Sequence, residues 1–105
     1  MGTFAHPITL HAMSVDRTEV LVVMVDTGST FSVFPAPVLK ALGVEPHRTV
    51  RLRLANGHTV ARRIGDVRVE LNGEMETIIC VFGDVDATPL IGAVTLESFL
   101  LAADP

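Results

Sequence analysis

A carboxylate followed by a tight polar turn is the arrangement in this chain best suited to chemistry. Asp26-Thr27-Gly28-Ser29 comes directly after an apolar run at residues 20–25. Burying a carboxylate is costly unless its oxygens accept hydrogen bonds or the group carries a proton. The two hydroxyls supply nearby donors, and the glycine gives the turn backbone angles that other residues avoid. The pattern therefore predicts an acid held at the end of a strand for proton transfer.

The remainder of the chain predicts mainly β-strands, which must position this acid. Asn56-Gly57 separates two runs in which apolar and polar residues alternate, the pattern of a β-hairpin. The return strand of this hairpin is expected at residues 59–64, and a further strand is expected at residues 66–71. Short helices are expected at residues 38–42 and 96–101, with Thr95 as the cap of the second. The predicted fold class is therefore all-β with two short helices.

A second apolar segment ends in glycine at Leu90-Ile91-Gly92. With the aspartate turn and the hairpin before it, this order of elements resembles the retropepsin-like aspartic proteases over nearly the whole chain. The resemblance implies a closed barrel, with residues 1–105 forming a single domain that is half of an acid-protease fold. That chemistry needs two carboxylates, and the chain has one Asp-Thr-Gly motif. The resemblance therefore implies a homodimer.

The resemblance also implies a role for each matching residue. Asp26 is the expected catalytic carboxylate, Thr27 is expected to bond to the other subunit's backbone, and Gly28 to offer its carbonyl to the substrate. Ser29 is expected to support the carboxylate. The further substrate-binding candidates lie at the hairpin tip, which would form a flap, and in the second apolar segment: Ala55, Asn56, Gly57, His58, Leu90, Ile91 and Gly92. The implied activity is that of an aspartic endopeptidase acting on peptides or proteins, in which two copies of Asp26 share a proton and activate water.

Three other interpretations of the turn stay open at this point. Asp26-x-Gly28-x-Thr30 also resembles the phosphate-binding turn of sugar kinases and actin-like ATPases, although those folds need two large lobes. The carboxylate could bond only to its own turn amides. A catalytically silent dimerisation or peptide-binding module of the same fold is the main alternative. Retroviral enzymes pair an acid with an arginine near the interface, at positions that here hold Thr30 and Ala93.

The distribution of charge gives a second signal. The 105-residue chain carries a net charge of −4, which argues against general nucleic-acid binding. Most of its basic residues nevertheless fall in one stretch: Arg48, Arg51, Arg53, Arg62, Arg63 and Arg68. Asp66 is the only acid in that stretch. The basic stretch is either a solvated hairpin whose charges deter edge-to-edge pairing, or a basic cover over a cleft that favours acidic peptides.

Several site and location classes are not indicated by the sequence. The single cysteine, Cys80, stands in an apolar run and is expected to be a buried thiol. The four histidines lack the paired spacing of a metal site, so neither a metal nor a cofactor is expected. No apolar run approaches the roughly 20 residues that span a bilayer, and the first residues lack the pattern of a signal peptide. A cytoplasmic location is expected.

Overall fold

A computed structural model of the protein describes residues 3–53 and 56–103. Its strands are β1 (Thr3–His11), β2 (Thr18–Asp26), β3 (Ser32–Pro35), β4 (Pro46–Arg53), β5 (Thr59–Leu71), β6 (Glu74–Gly83) and β7 (Leu90–Ile91). Two helices complete it, α1 (Ala36–Ala41) and α2 (Ala93–Ala103). The expected all-β class with two short helices is confirmed.

The seven strands form one sheet that closes on itself. Their order is β1-β2-β7-β3-β6-β5-β4, and a further pairing joins β1 to β5. The ring therefore contains every strand except β4, which pairs with β5 alone. Pairing is parallel between β2 and β7 and between β3 and β6. The parallel pair of β2 and β7 places the end of the aspartate strand beside the later apolar segment, as the closed-barrel expectation requires.

The core lies inside the ring and comes from alternate residues of its strands. Val23 and Val25 on β2 are buried, whereas Val20 and Val22 on the same strand are exposed. This alternation is the pattern of a strand with one face in a core. The largest fully buried side chains include Phe34 and Leu10. Burial of this apolar face holds β2 in place and so fixes where Asp26 emerges.

Two sequence-based expectations about the elements need correction. Residues 59–64 and 66–71 were expected as separate strands, but β5 is one continuous strand that pairs with β4 first and β6 later. Thr95 was expected to cap the last helix. Instead α2 already begins at Ala93, and Thr95 is a buried residue within it. The backbone of the preceding turn satisfies the first amides of this helix, as described below, so a side-chain cap is not needed there.

Candidate active site

The Asp26 carboxylate is held by its own turn. Gly28 donates its backbone N–H to Oδ1 over 2.9 Å, and the Ser29 hydroxyl lies 3.4 Å from Oδ2. The Ser29 amide also donates to the Asp26 carbonyl at 3.2 Å, which closes the turn. Asp26 is half-buried at the end of β2. The expected support from Ser29 therefore corresponds to a long contact, and the stronger donor is the Gly28 amide.

Gly28 leaves space beside the carboxylate. The positive backbone angles in the described chain belong to Asn72, Gly43, Gly57 and Gly73, and not to Gly28. A Cβ at position 28 would lie 3.2 Å from Asp26 Oδ1. The sequence-based reason for this glycine, freedom of its backbone angles, is therefore replaced by close approach to the acid.

The start of α2 fixes the far side of the turn. Ala93 donates its backbone N–H to the Ser29 carbonyl at 2.6 Å, and Val94 donates to the Thr30 carbonyl at 3.1 Å. The first amides of a helix have no partner within the helix, so these carbonyls satisfy them. We call this contact between residues 92–95 and residues 29–32 the α2 clamp.

Two buried hydroxyls strengthen the α2 clamp. The oxygens of Ser32 and Thr95 lie 2.6 Å apart, and the Gly92 amide donates to the Ser32 hydroxyl at 3.1 Å. Both side chains are almost fully buried. Buried polar groups with complete hydrogen bonding favour one arrangement, because every alternative leaves a group unsatisfied. This contact between Ser32 and Thr95 could not be predicted from local sequence, because the two residues are far apart in sequence and come from a strand and a helix.

The second apolar segment supports the site from behind. Ile91 is only 1% exposed and belongs to the core, so its side chain positions the strand and does not line the cleft. Leu90 is half-buried and pairs with Met24 and Val33. A Cβ at Gly92 would lie 2.5 Å from the Phe31 carbonyl oxygen. Glycine is therefore required there for the backbone that follows the aspartate turn to approach.

A cleft of about 570 Å³ opens beside the turn. It is lined by the stretch from Gly28 to Phe31 and by Arg51, Leu52 and Arg53 at the end of β4. Val33 and Val81 complete its described lining. The basic stretch of the sequence therefore contributes two arginines to a cleft that begins two residues after Asp26.

The described residues of the expected flap tip form a tight exposed turn. Gly57 has a φ of +88°, and the Asn56 side chain accepts a hydrogen bond from the His58 amide at 3.0 Å. None of these three residues is among the described residues that line the cleft. Ala55, the other tip residue predicted to bind substrate, lies outside the described residues. Contacts of the tip with a substrate stay a prediction.

The sequence of the chain was also compared with models of protein families. The family model of the aspartyl proteases matches residues 12–95. The chain belongs to the aspartyl protease family. Its matched region contains the aspartate turn, the cleft and the residues of the α2 clamp. A search among curated proteins found no match.

A separate apolar groove borders the aspartate turn. Its volume is about 540 Å³. It is lined by Thr27, Leu71, Asn72, Glu74, Ala93, Leu96, Glu97, Phe99 and Leu100. Leu100 is 70% exposed, although it is a large apolar side chain. The groove therefore starts at the residue after the aspartate and continues along α2.

Other groups with possible chemistry lie outside this candidate site. Burial, with a smaller contribution from Asp66, raises the pKa of the Cys80 thiol to about 12. The thiol therefore stays protonated at neutral pH, which confirms the expected buried cysteine. Within the described residues, no group of three or more histidine, cysteine or acidic side chains could hold a metal ion. No helix in the same residues is long and apolar enough to cross a membrane.

Proposed function

We propose that this protein is a homodimeric aspartic endopeptidase in which Asp26 from each of two copies forms the catalytic dyad. The observation that carries the proposal is the carboxylate held at a strand end by the Gly28 amide, beside a cleft, in a chain of the aspartyl protease family. One copy supplies one such carboxylate. In the alternative, a silent peptide-binding module, the same dimer would bind peptides without cleaving them.

The proposed reaction follows from two carboxylates that face each other across a two-fold axis. Two like charges this close cannot both ionise cheaply, so the pair shares one proton. The ionised member accepts a proton from water, whose oxygen then forms a bond to the peptide carbonyl carbon. The protonated member gives its proton to the carbonyl oxygen. Breakdown of this adduct breaks the C–N bond as a proton moves to the nitrogen, which releases an acid and an amine.

The turn prepares the carboxylate for this step before substrate arrives. The hydrogen bond from Gly28 and the α2 clamp keep the Asp26 oxygens in one orientation, so little reorganisation is needed during reaction. The roles expected for Thr27 and for the Gly28 carbonyl, across the dyad and toward the substrate, belong to this same proposal. Leu90, Ile91 and Gly92 would act by holding the turn from behind.

A second copy is the occupant that we propose for the apolar groove. A two-fold axis that brings two Asp26 side chains together must pass near Thr27, which is a wall of the groove. The groove would then be continuous with the dyad contact. Covering Leu96 and Leu100 removes apolar surface from water, which favours association.

Replacement of Asp26 by asparagine tests the proposed function. Asp26→Asn keeps the shape of the side chain but removes the proton acceptor, so peptide cleavage should fall by at least about 10²–10⁴-fold. The exposed acid Asp16, in the loop between β1 and β2, provides the matched control Asp16→Asn. Cleavage of a peptide library by the purified proteins is the measurement. Cleavage by the Asp26→Asn protein at the wild-type rate would contradict the proposal, and peptide binding without cleavage by wild type would favour the silent module.

A further inference from the structure

The cleft beside the aspartate turn has an unbalanced charge. Arg51 and Arg53 line it, and no acid is among its described lining residues. The acid nearest to these residues along the chain is Asp26, two residues before the first lining residue, Gly28. A substrate segment in this cleft therefore meets two guanidinium groups.

The two arginines also lack partners within the described part of the protein. Neither guanidinium makes an ion pair or a hydrogen bond there. Other charged groups on the same hairpin do have partners. Arg62 lies 3.7 Å from Asp84, and Asp66 contacts His47 at 3.2 Å. Two unpaired positive charges are therefore located at the cleft, although other cations of the protein, such as Lys40 and Arg63, are also without an ion pair in the described residues.

We propose that Arg51 and Arg53 select peptide substrates with acidic side chains near the cleaved bond, an inference that rests on the proposed function. Guanidinium groups bind carboxylates through paired hydrogen bonds, a geometry that lysine does not provide. A cleft lined by one sign of charge also raises the local concentration of an oppositely charged ligand. Val33, Leu52 and Val81 also line the cleft, so the expected substrate combines apolar residues with flanking acids.

A matched region of the same protein provides the control. Lys40 and Arg63 line a separate cavity of about 760 Å³ between α1 and the β4–β5 pair. In the described residues neither makes an ion pair. Reversing both charges there changes the net charge of the protein by the same amount as reversing Arg51 and Arg53. The control therefore separates an effect of the cleft from an effect of total charge.

The test compares two peptides that differ only in replacing flanking glutamates by glutamines. The ratio of kcat/KM for the two peptides is measured with wild type, with Arg51→Glu/Arg53→Glu and with Lys40→Glu/Arg63→Glu. Wild type should prefer the glutamate peptide, and the cleft variant should lower that preference about tenfold, as expected for two exposed charge pairs whose sign is reversed. The control variant should retain the preference. Higher salt should weaken it in wild type.

Outcomes that overturn the inference are distinct from failure of the proposed function. Equal use of both peptides by wild type, or an equal loss of preference in the two variants, would overturn it. In that case the proposed protease function would still be supported if wild type cleaves the glutamine peptide and the Asp26→Asn protein does not. If neither peptide is cut, the same comparison is made on peptide binding, measured by fluorescence anisotropy, and the same ratios decide. Arg51→Gln/Arg53→Gln gives the comparison without charge reversal if the glutamate variant does not fold.

Discussion

The aspartate turn and the β4–β5 hairpin both line the cleft but are built differently. The turn receives hydrogen bonds from its own residues and from the α2 clamp, and Ser32 and Thr95 complete those bonds in the core. The hairpin, residues 46–65, contains a strand that pairs only with β5. Arg51 and Arg53 on it are exposed.

This difference corresponds to two separate tasks in the proposed enzyme. A reacting carboxylate must be held in one orientation, because small displacements of catalytic groups lower rates strongly. A substrate-selecting wall needs accessible charge and room to admit a chain. The fold therefore places the fixed group on the closed ring and the selecting groups on the strand outside it.

The largest effect is expected from adding a methyl group at the α2 clamp. In Gly92→Ala the new Cβ would lie within 3 Å of the backbone at Phe31 and Ser29, so the active-site turn must shift. We expect a loss of about 3 kcal/mol in the free energy of unfolding, together with lower activity in the remaining folded protein. Urea unfolding at fixed protein concentration measures the first effect, and peptide cleavage the second.

Gly57→Ala gives the matched change on the hairpin. Gly57 has a positive φ but open space around it, so the cost is backbone strain alone, about 1 kcal/mol. Gly92→Ala should lower the free energy of unfolding more than Gly57→Ala does, if the α2 clamp is packed more tightly than the hairpin. A Gly57→Ala protein that is less stable than Gly92→Ala would show that the clamp is not the tighter region.

A smaller effect is expected from a charge placed in the apolar groove. Leu100→Glu should weaken self-association by about 2 kcal/mol, because it puts a carboxylate where a second copy is proposed to bury a leucine. Val22→Glu is the control, since Val22 is 65% exposed on the outer face of β2 and Leu100 is 70% exposed on α2. Sedimentation over a range of concentrations measures both dimer affinities. Weaker association in Val22→Glu alone would place the interface on β2 instead.

The sequence was sufficient to predict the elements that depend on local chemistry. The strand before Asp26 follows from its apolar run, and the turn at Gly57 from an Asn-Gly pair whose glycine has positive φ. Helix α1 ends just before Gly43, which also has a positive φ. Each of these depends on neighbours within a few residues, so the pattern was visible in the chain.

Contacts between distant segments could not be predicted in the same way. Ser32 and Thr95 meet only because β3 and α2 pack together, and nothing in either local sequence indicates the partner. Ile91 was expected at the cleft, but the strand presents it to the core. A basic cover over a cleft was one of two interpretations of the arginine-rich stretch, and the local sequence did not show that Arg51 and Arg53 in particular line the cleft beside the aspartate turn.

The most direct test of the central claim mixes wild-type and Asp26→Asn chains at constant total concentration, after exchange of subunits. A dyad with one carboxylate from each copy is formed only in wild-type pairs, so an equal mixture should keep about one quarter of the wild-type activity. Peptide cleavage across mixing ratios should follow the square of the wild-type fraction. A linear dependence, with about half of the activity at the equal mixture, would show that each copy acts alone and would contradict the shared dyad.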